Sequence, residues 1–179
     1  MFFTSSCNTS TQKSSDLTDK IQSLRELTKD EYDVFNSCIT LYFDAMENGK
    51  YEYVIEKMYT PFLTELAEQN TGYSEEELVE KLAEQIRLIY VEMKNKGIKV
   101  TINLEEVNPS VIDYDKDLYN VIKYKVTRFR KAKEHSEIRS LFAISEDSGI
   151  TWSFVEDTDD SRAIIKEKLP DSLFNHLIK

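Results

Sequence analysis

Apolar residues return every three or four positions along the first half of the chain, then every second position along the next stretch. From Asp30 to Asn48, Phe35, Cys38, Ile39, Tyr42, Ala45 and Met46 fall on one stripe, which predicts an amphipathic helix stopped by Asn48-Gly49. A weaker helical pattern of Leu17, Ile21, Leu24 and Leu27 precedes it, from Asp16 to about Lys29. Tyr51, Val54, Ile55 and Met58 share a face of a short helix running to Tyr59. Thr60-Pro61 interrupts, and Phe62, Leu63, Leu66 and Ala67 continue as another. Asn70-Thr71-Gly72 reads as a turn. Ser74 with Glu77 forms a capping box, in which hydroxyl and carboxylate satisfy each other's backbone amides. It opens a helix to about Lys96 with Leu78, Leu82, Ile86, Ile89 and Met93 inward, closed by Gly97.

After Gly97 the period is two. Ile98, Val100, Ile102 and Leu104 alternate with Lys99, Thr101 and Asn103, which predicts a strand with one wet face. Asn108-Pro109 breaks it. Leu118 to Lys131 is a long strand, with Ile122, Tyr124 and Val126 on one side and Lys123, Lys125 and Thr127 on the other. Ile138 to Ser145 and Ile150 to Val155 are two more. From about Arg162 a helical pattern with a break at Pro170 closes the chain. Helices first and a meander of strands afterwards predict an α+β domain, its N-terminal helices packed on a curved antiparallel sheet, with a short C-terminal helix. The core-facing strand positions read Ile122, Tyr124 and Val126, then Ile138, Ser140, Phe142 and Ile144, then Ile150, Trp152 and Phe154. No internal repeat is visible.

Composition narrows the function classes. A chain of 179 residues with 40% hydrophobic and 11% aromatic residues suits one well-packed domain, here residues 17–179, behind a Ser/Thr-rich segment at 1–16. The formal net charge is −10, which opposes non-specific binding to nucleic acid or to an anionic membrane surface. Two cysteines and two histidines (His135 and His176, both read as surface residues) offer no zinc spacing, and no cofactor motif is present. The acidic residues from Glu65 to Glu84 lie on solvated helix faces and lack a calcium-loop pattern.

The N-terminus, MFFTSSCNTSTQKSSD, resembles the end of a bacterial lipoprotein signal. Apolar Phe2-Phe3 and small Ser5-Ser6 precede Cys7, and a polar tether follows; a charged n-region and most of the apolar stretch are missing. An upstream start codon would restore them. Cys7 would then carry a lipid, the domain would be held on the extracytoplasmic side of the cell envelope, and that anchor would be its one membrane contact. A start at Met1 implies a cytoplasmic protein.

Ser145 to Trp152, SEDSGITW, has the spacing of the Asp-box repeated in sialidase propellers. A propeller needs several such boxes over several hundred residues, so a single one between two strand patterns reads as a hairpin turn. In that hairpin, which Ser145 opens, Asp147 and Ser148 satisfy turn amides, Gly149 supplies a positive φ, and Trp152 packs back onto the sheet.

The order of helix, then ENGKYEYVIEKMYTPFLTEL, helix, meander and the closing ISEDSGITWSFVED resembles small bacterial proteins of the nuclear transport factor 2-like superfamily, whose cone fold is shared with ketosteroid isomerases. The shared features are a Gly49-x-Tyr51 turn, a helix interrupted at a Pro and a last strand of the style Trp152-x-Phe154-Val155, over roughly Asp30 to Asp157. The resemblance implies a cone with an apolar pocket, and fold alone does not give function. Tyr42, Tyr59, Tyr90, Tyr124, Arg128 and Trp152 are the pocket candidates, and no catalytic carboxylate or histidine stands at the core-facing positions named above. The sequence therefore favours a non-catalytic module that binds a small apolar ligand or a protein partner. The alternatives are a cofactor-independent lyase or isomerase using the tyrosines and an unidentified carboxylate, and a structural homodimer joined through the face of Lys123, Lys125 and Thr127.

Overall fold

The computed structural model describes residues 22–69, 72–131 and 133–179. Among these residues it is α+β, with six helices and six strands in one antiparallel sheet. The order is β1 (Gln22–Glu26), α1 (Lys29–Glu47), α2 (Tyr51–Glu56), α3 (Thr60–Gln69), α4 (Glu75–Asn95), β2 (Ile98–Val107), β3 (Ser110–Tyr114), β4 (Asp117–Arg130), β5 (Lys133–Ser145), β6 (Ser153–Glu156), α5 (Asp159–Lys168) and α6 (Asp171–Leu177).

The sheet is organised around β4. One edge pairs with β5, which pairs with β6; the other edge is shared by β3 at the start of β4 and β2 at its end, with β1 beyond β3. Asn108-Pro109 divides β2 from β3, as a residue without an N–H must within a ladder. The free edge of β6 is covered by the α2–α3 link: the Tyr59 amide donates to the Phe154 carbonyl at 3.0 Å and the Phe154 amide to the Lys57 carbonyl at 2.7 Å. That removes an exposed edge that would otherwise invite pairing.

Two layers of apolar side chains hold the sheet. On its inner face Phe35, Ile39, Tyr42 and Phe43 of α1 pack against Ile122, Tyr124, Leu141, Ala143, Trp152 and Phe154. On the outer face Tyr119, Phe142, Ile144 and Val155 meet Ile164, Ile165, Leu169 and Phe174 of α5 and α6. Burial of this kind contributes roughly 25 cal/mol per Å² of apolar surface. It explains why Leu141–Ile144 is apolar at four consecutive positions: that part of β5 is covered on both sides.

Three sequence expectations are corrected. The helical pattern from Asp16 to Lys29 gives, where described, a strand at Gln22–Glu26 paired with β3, and Leu24 is exposed. The pairing of this segment outweighs its weak periodicity, and α1 starts at Lys29 because Thr28 and Glu31 form a capping box. Arg25 fixes the strand in place, donating from Nε to Asp113 at 2.8 Å and from both Nη atoms to Glu31 at 3.0 and 2.9 Å. Those hydrogen bonds lower the Glu31 carboxyl pKa to about 2.

The second correction concerns the faces of β5 and of the loop before β6. Leu141 lies opposite Ile122 and Arg139 opposite Tyr124, so the inner positions are Glu137, Arg139, Leu141 and Ala143. Ile138 and Ile150, expected inside, are 68% and 73% exposed. An uninterrupted apolar run carries no alternation from which to choose a face, and a shift of one residue exchanges the two sides. Third, Ile89 of α4 is exposed, lying at the lip of the cavity described next.

Candidate functional site

A cavity of about 230 Å³ lies on the inner face, beyond the end of the α1 core. Its apolar wall is Met46 from α1, Met93 from α4, Val100 and Ile102 from β2, and Val126 from β4. Tyr90, Tyr124, Arg128, Arg139 and Glu156 complete it on the polar side. A second hollow of about 400 Å³ shares Tyr90, Met93, Val100 and Ile102 and reaches Glu47, Arg87 and Lys94 beneath α4. The larger hollow is within the usual size range for a small organic ligand and the smaller cavity, which adjoins it, is just below; apolar side chains with a few convergent polar groups are the usual make-up of such sites.

The strands place the polar groups by register. Tyr124 and Arg128 are four residues apart on β4, hence on one face, and Arg139 lies directly across from Tyr124. Glu156 pairs with Leu141 on the far side of β5 and also points inward. The Tyr124 hydroxyl donates to Glu156 Oε1, and Arg139 Nη1 stands 4.0 Å from the same oxygen. Burial pushes the Glu156 carboxyl pKa up, against the lowering effects of the Tyr124 hydrogen bond and the Arg139 charge; Asp157 and Glu137 add to the upward push. Burial, with the Glu156 charge next, also raises the Tyr42 and Tyr124 phenols well above the ordinary value. Both stay protonated at neutral pH, and Tyr124 donates to Glu156.

Beside this pair, Glu137 Oε1 accepts from Arg128 Nη1 at 2.8 Å and from Arg139 Nε at 2.8 Å, with Arg139 Nη2 at 2.6 Å. Two guanidinium groups share one carboxylate oxygen.

Of the residues expected from sequence to line a pocket, Tyr90, Tyr124 and Arg128 do. Tyr42 is buried next to the site, its ring 4.6 Å from that of Phe154. Tyr59 and Trp152 are core residues, which corrects that assignment. Trp152 packs on Phe35 with ring centroids 4.3 Å apart, and Tyr59 sits in the cluster between the sheet's outer face and α5.

The expectation that no carboxylate faces inward is also corrected, because Glu156 does. Its signal was present: Trp152, Phe154 and Glu156 continue one alternation, one step past the apolar run. Arg139 and Glu137 were hidden by the misread face of β5.

Ser145, Asp147 and Gly149 lie away from the cavity, in the β5–β6 hairpin. Asp147 accepts from Ser145 Oγ at 2.8 Å, the Thr151 amide at 2.8 Å and Thr151 Oγ1 at 2.7 Å, and the Gly149 amide donates to Ser145 Oγ at 2.7 Å. Gly149 has φ +95°, and a Cβ there would come within 3.3 Å of Leu118 Cδ1. Both facts call for glycine.

Cys7, the lipidation candidate, lies outside the described residues. Among the described residues no group of three or more His, Cys, Asp or Glu side chains is placed to hold a metal ion, and no helix is long and apolar enough to cross a membrane. Compared with family models, curated proteins and solved structures, the chain finds no match.

Proposed function

We propose that the protein is a binding module whose inner-face cavity takes a small amphipathic molecule. The observation that carries this is the mixed lining of one cavity: Met46 and Met93 from the helices, and a sheet floor in which Val100, Ile102 and Val126 stand beside Tyr124, Arg128, Arg139 and Glu156. An apolar body would gain by desolvation against the aliphatic and methionine side chains, and its head group would find donors and acceptors beside them. The cone-like superfamily that the sequence resembles belongs to the same reading, supported by the helices packed on the inner face of an antiparallel sheet.

The experiment is a titration with the neutral fluorescent probe N-phenyl-1-naphthylamine. One probe is expected per chain, lost in Met93→Trp, which fills the cavity, and retained in Leu88→Trp on the exposed side of α4. Equal binding by both variants contradicts the reading.

A second reading, proton transfer on a bound substrate, is favoured by one observation. Glu156 is a carboxyl with a raised pKa, hydrogen-bonded to a phenol inside a cavity. Such a group holds and releases a proton closer to neutral pH than an ordinary carboxylate. Glu156→Gln separates the two readings: it abolishes turnover in a lyase or isomerase, whereas a binding module keeps its ligand.

A lipid tether through Cys7 is also proposed, supported by the small residues before it and the polar segment after it. The mass of the N-terminal peptide from native cells tests it. A diacylglyceryl-modified Cys7 is expected, and an unmodified chain starting at Met1 or Phe2 removes the tether.

A further inference from the structure

We infer that the ligand of this cavity is a small organic anion, a monocarboxylate on an apolar body, with its head group held by Arg128 and Arg139. The inference rests on the binding-module reading above and adds the charge of the ligand. Arg128 and Arg139 come from neighbouring strands and meet on one oxygen of one carboxylate, Glu137 Oε1, which leaves other N–H donors of both groups unused. The next carboxylate, Glu156, is 4.0 Å from Arg139 and already accepts the Tyr124 hydroxyl.

Of the five N–H donors on each guanidinium, Arg128 uses Nη1 on Glu137, and Arg139 uses Nε and Nη2. The remaining donors stand at the cavity wall. A guanidinium with free N–H groups matches a carboxylate in a paired, charge-assisted geometry, which a hydroxyl or an amine cannot reproduce.

The rest of the molecule sharpens the point. The chain carries −10 overall, and at this cavity Glu137 and Glu156 balance the two guanidinium groups, so an anion is selected by their unused N–H donors rather than by net charge. Around the arginines, Met46, Met93, Val100, Ile102 and Val126 offer no polar partner and demand an apolar body. The unbranched, adaptable methionine side chains fit a flexible chain as readily as a ring.

The test uses the full chain and three probes of one body and different heads: octanoate, octanol and octylammonium, measured by titration calorimetry at pH 7. Octanoate is expected to bind about tenfold more tightly than octanol, the scale of one charge-assisted hydrogen bond. Arg128→Gln and Arg139→Gln are each expected to remove that preference, while octanol binding stays and reports that the cavity is intact. Glu137 keeps one arginine in either variant. The octanoate preference is expected to shrink in high salt.

Equal affinity for octanoate and octanol, or a preference for octylammonium, overturns the anionic ligand and leaves the cavity reading standing. Absence of binding by all three overturns both. A preference for octanoate that survives both substitutions places the anion elsewhere and also overturns the inference.

Discussion

Tyr124 and Glu156 meet across an intervening strand: the phenol on β4 donates to the carboxylate at the end of β6, in the lining of a cavity that Met46, Met93, Val100, Ile102 and Val126 share. The pair ties the last strand to the sheet's centre and gives the cavity its polar end.

The pair has a pH signature. The folded protein raises the Glu156 pKa, so it binds a proton more tightly than the unfolded chain does. The associated stability is fully present below the ordinary carboxylate range and is lost as pH rises through the folded value. Glu156→Gln is therefore expected to be more stable than the native protein at pH 8 and equal to it near pH 4. The gain stays under about 1 kcal/mol, because the carboxylate is 40% exposed and partly screened. Urea unfolding at both pH values checks this; a variant less stable at pH 8 contradicts it.

The β5–β6 hairpin titrates in the opposite sense. Desolvation pushes the Asp147 carboxyl up, but the hydrogen bonds from Thr151 and Ser145 outweigh it and hold the pKa below the ordinary value. Its contribution is present above the ordinary carboxylate range and is lost as pH falls through the folded pKa. Asp147→Ala removes three hydrogen bonds and is expected to cost about 2 kcal/mol at pH 7, with a smaller loss in acid. Asp147→Asn keeps part of the network and falls between. An Asp147→Ala protein as stable as the native one at pH 7 contradicts a stapling role.

Tyr59 offers a gain of stability. Its ring is buried under α5, and its hydroxyl has no hydrogen-bond partner among the described residues. A buried hydroxyl without a partner carries its full desolvation penalty, so Tyr59→Phe is expected to stabilise the fold by about 1 kcal/mol. Thermal unfolding reads this directly, and a lowered midpoint shows that the hydroxyl is satisfied.

The sequence makes the elements legible where one period persists. The stripe of Phe35, Ile39 and Tyr42 gives α1, Ser74 and Glu77 give the start of α4, and Ile122, Tyr124 and Val126 give the inner face of β4. It misleads where two layers compete for one segment. Leu141–Ile144 is apolar throughout because α1 lies on one side of the sheet and α5–α6 on the other, so the alternation that would have placed Arg139 inside is erased. Strand β1 is written in its partner: only Val111 and Ile112 on β3, and the Arg25–Asp113 bond, reveal that Gln22–Glu26 is extended. The site inherits both difficulties. Tyr90, Tyr124 and Arg128 could be named in advance, whereas Glu156 and Arg139 needed the register of three strands.

The central claim, a small ligand held on the sheet's inner face, is tested most directly by methyl NMR of methionine-labelled protein titrated with octanoate. Met46 and Met93 line the cavity, while Met58 packs in the separate cluster formed by α2, α3 and α4. The account predicts saturable shifts of the Met46 and Met93 methyl signals with Met58 unmoved. Shifts confined to Met58, or none at Met46 and Met93 up to millimolar octanoate, would contradict it.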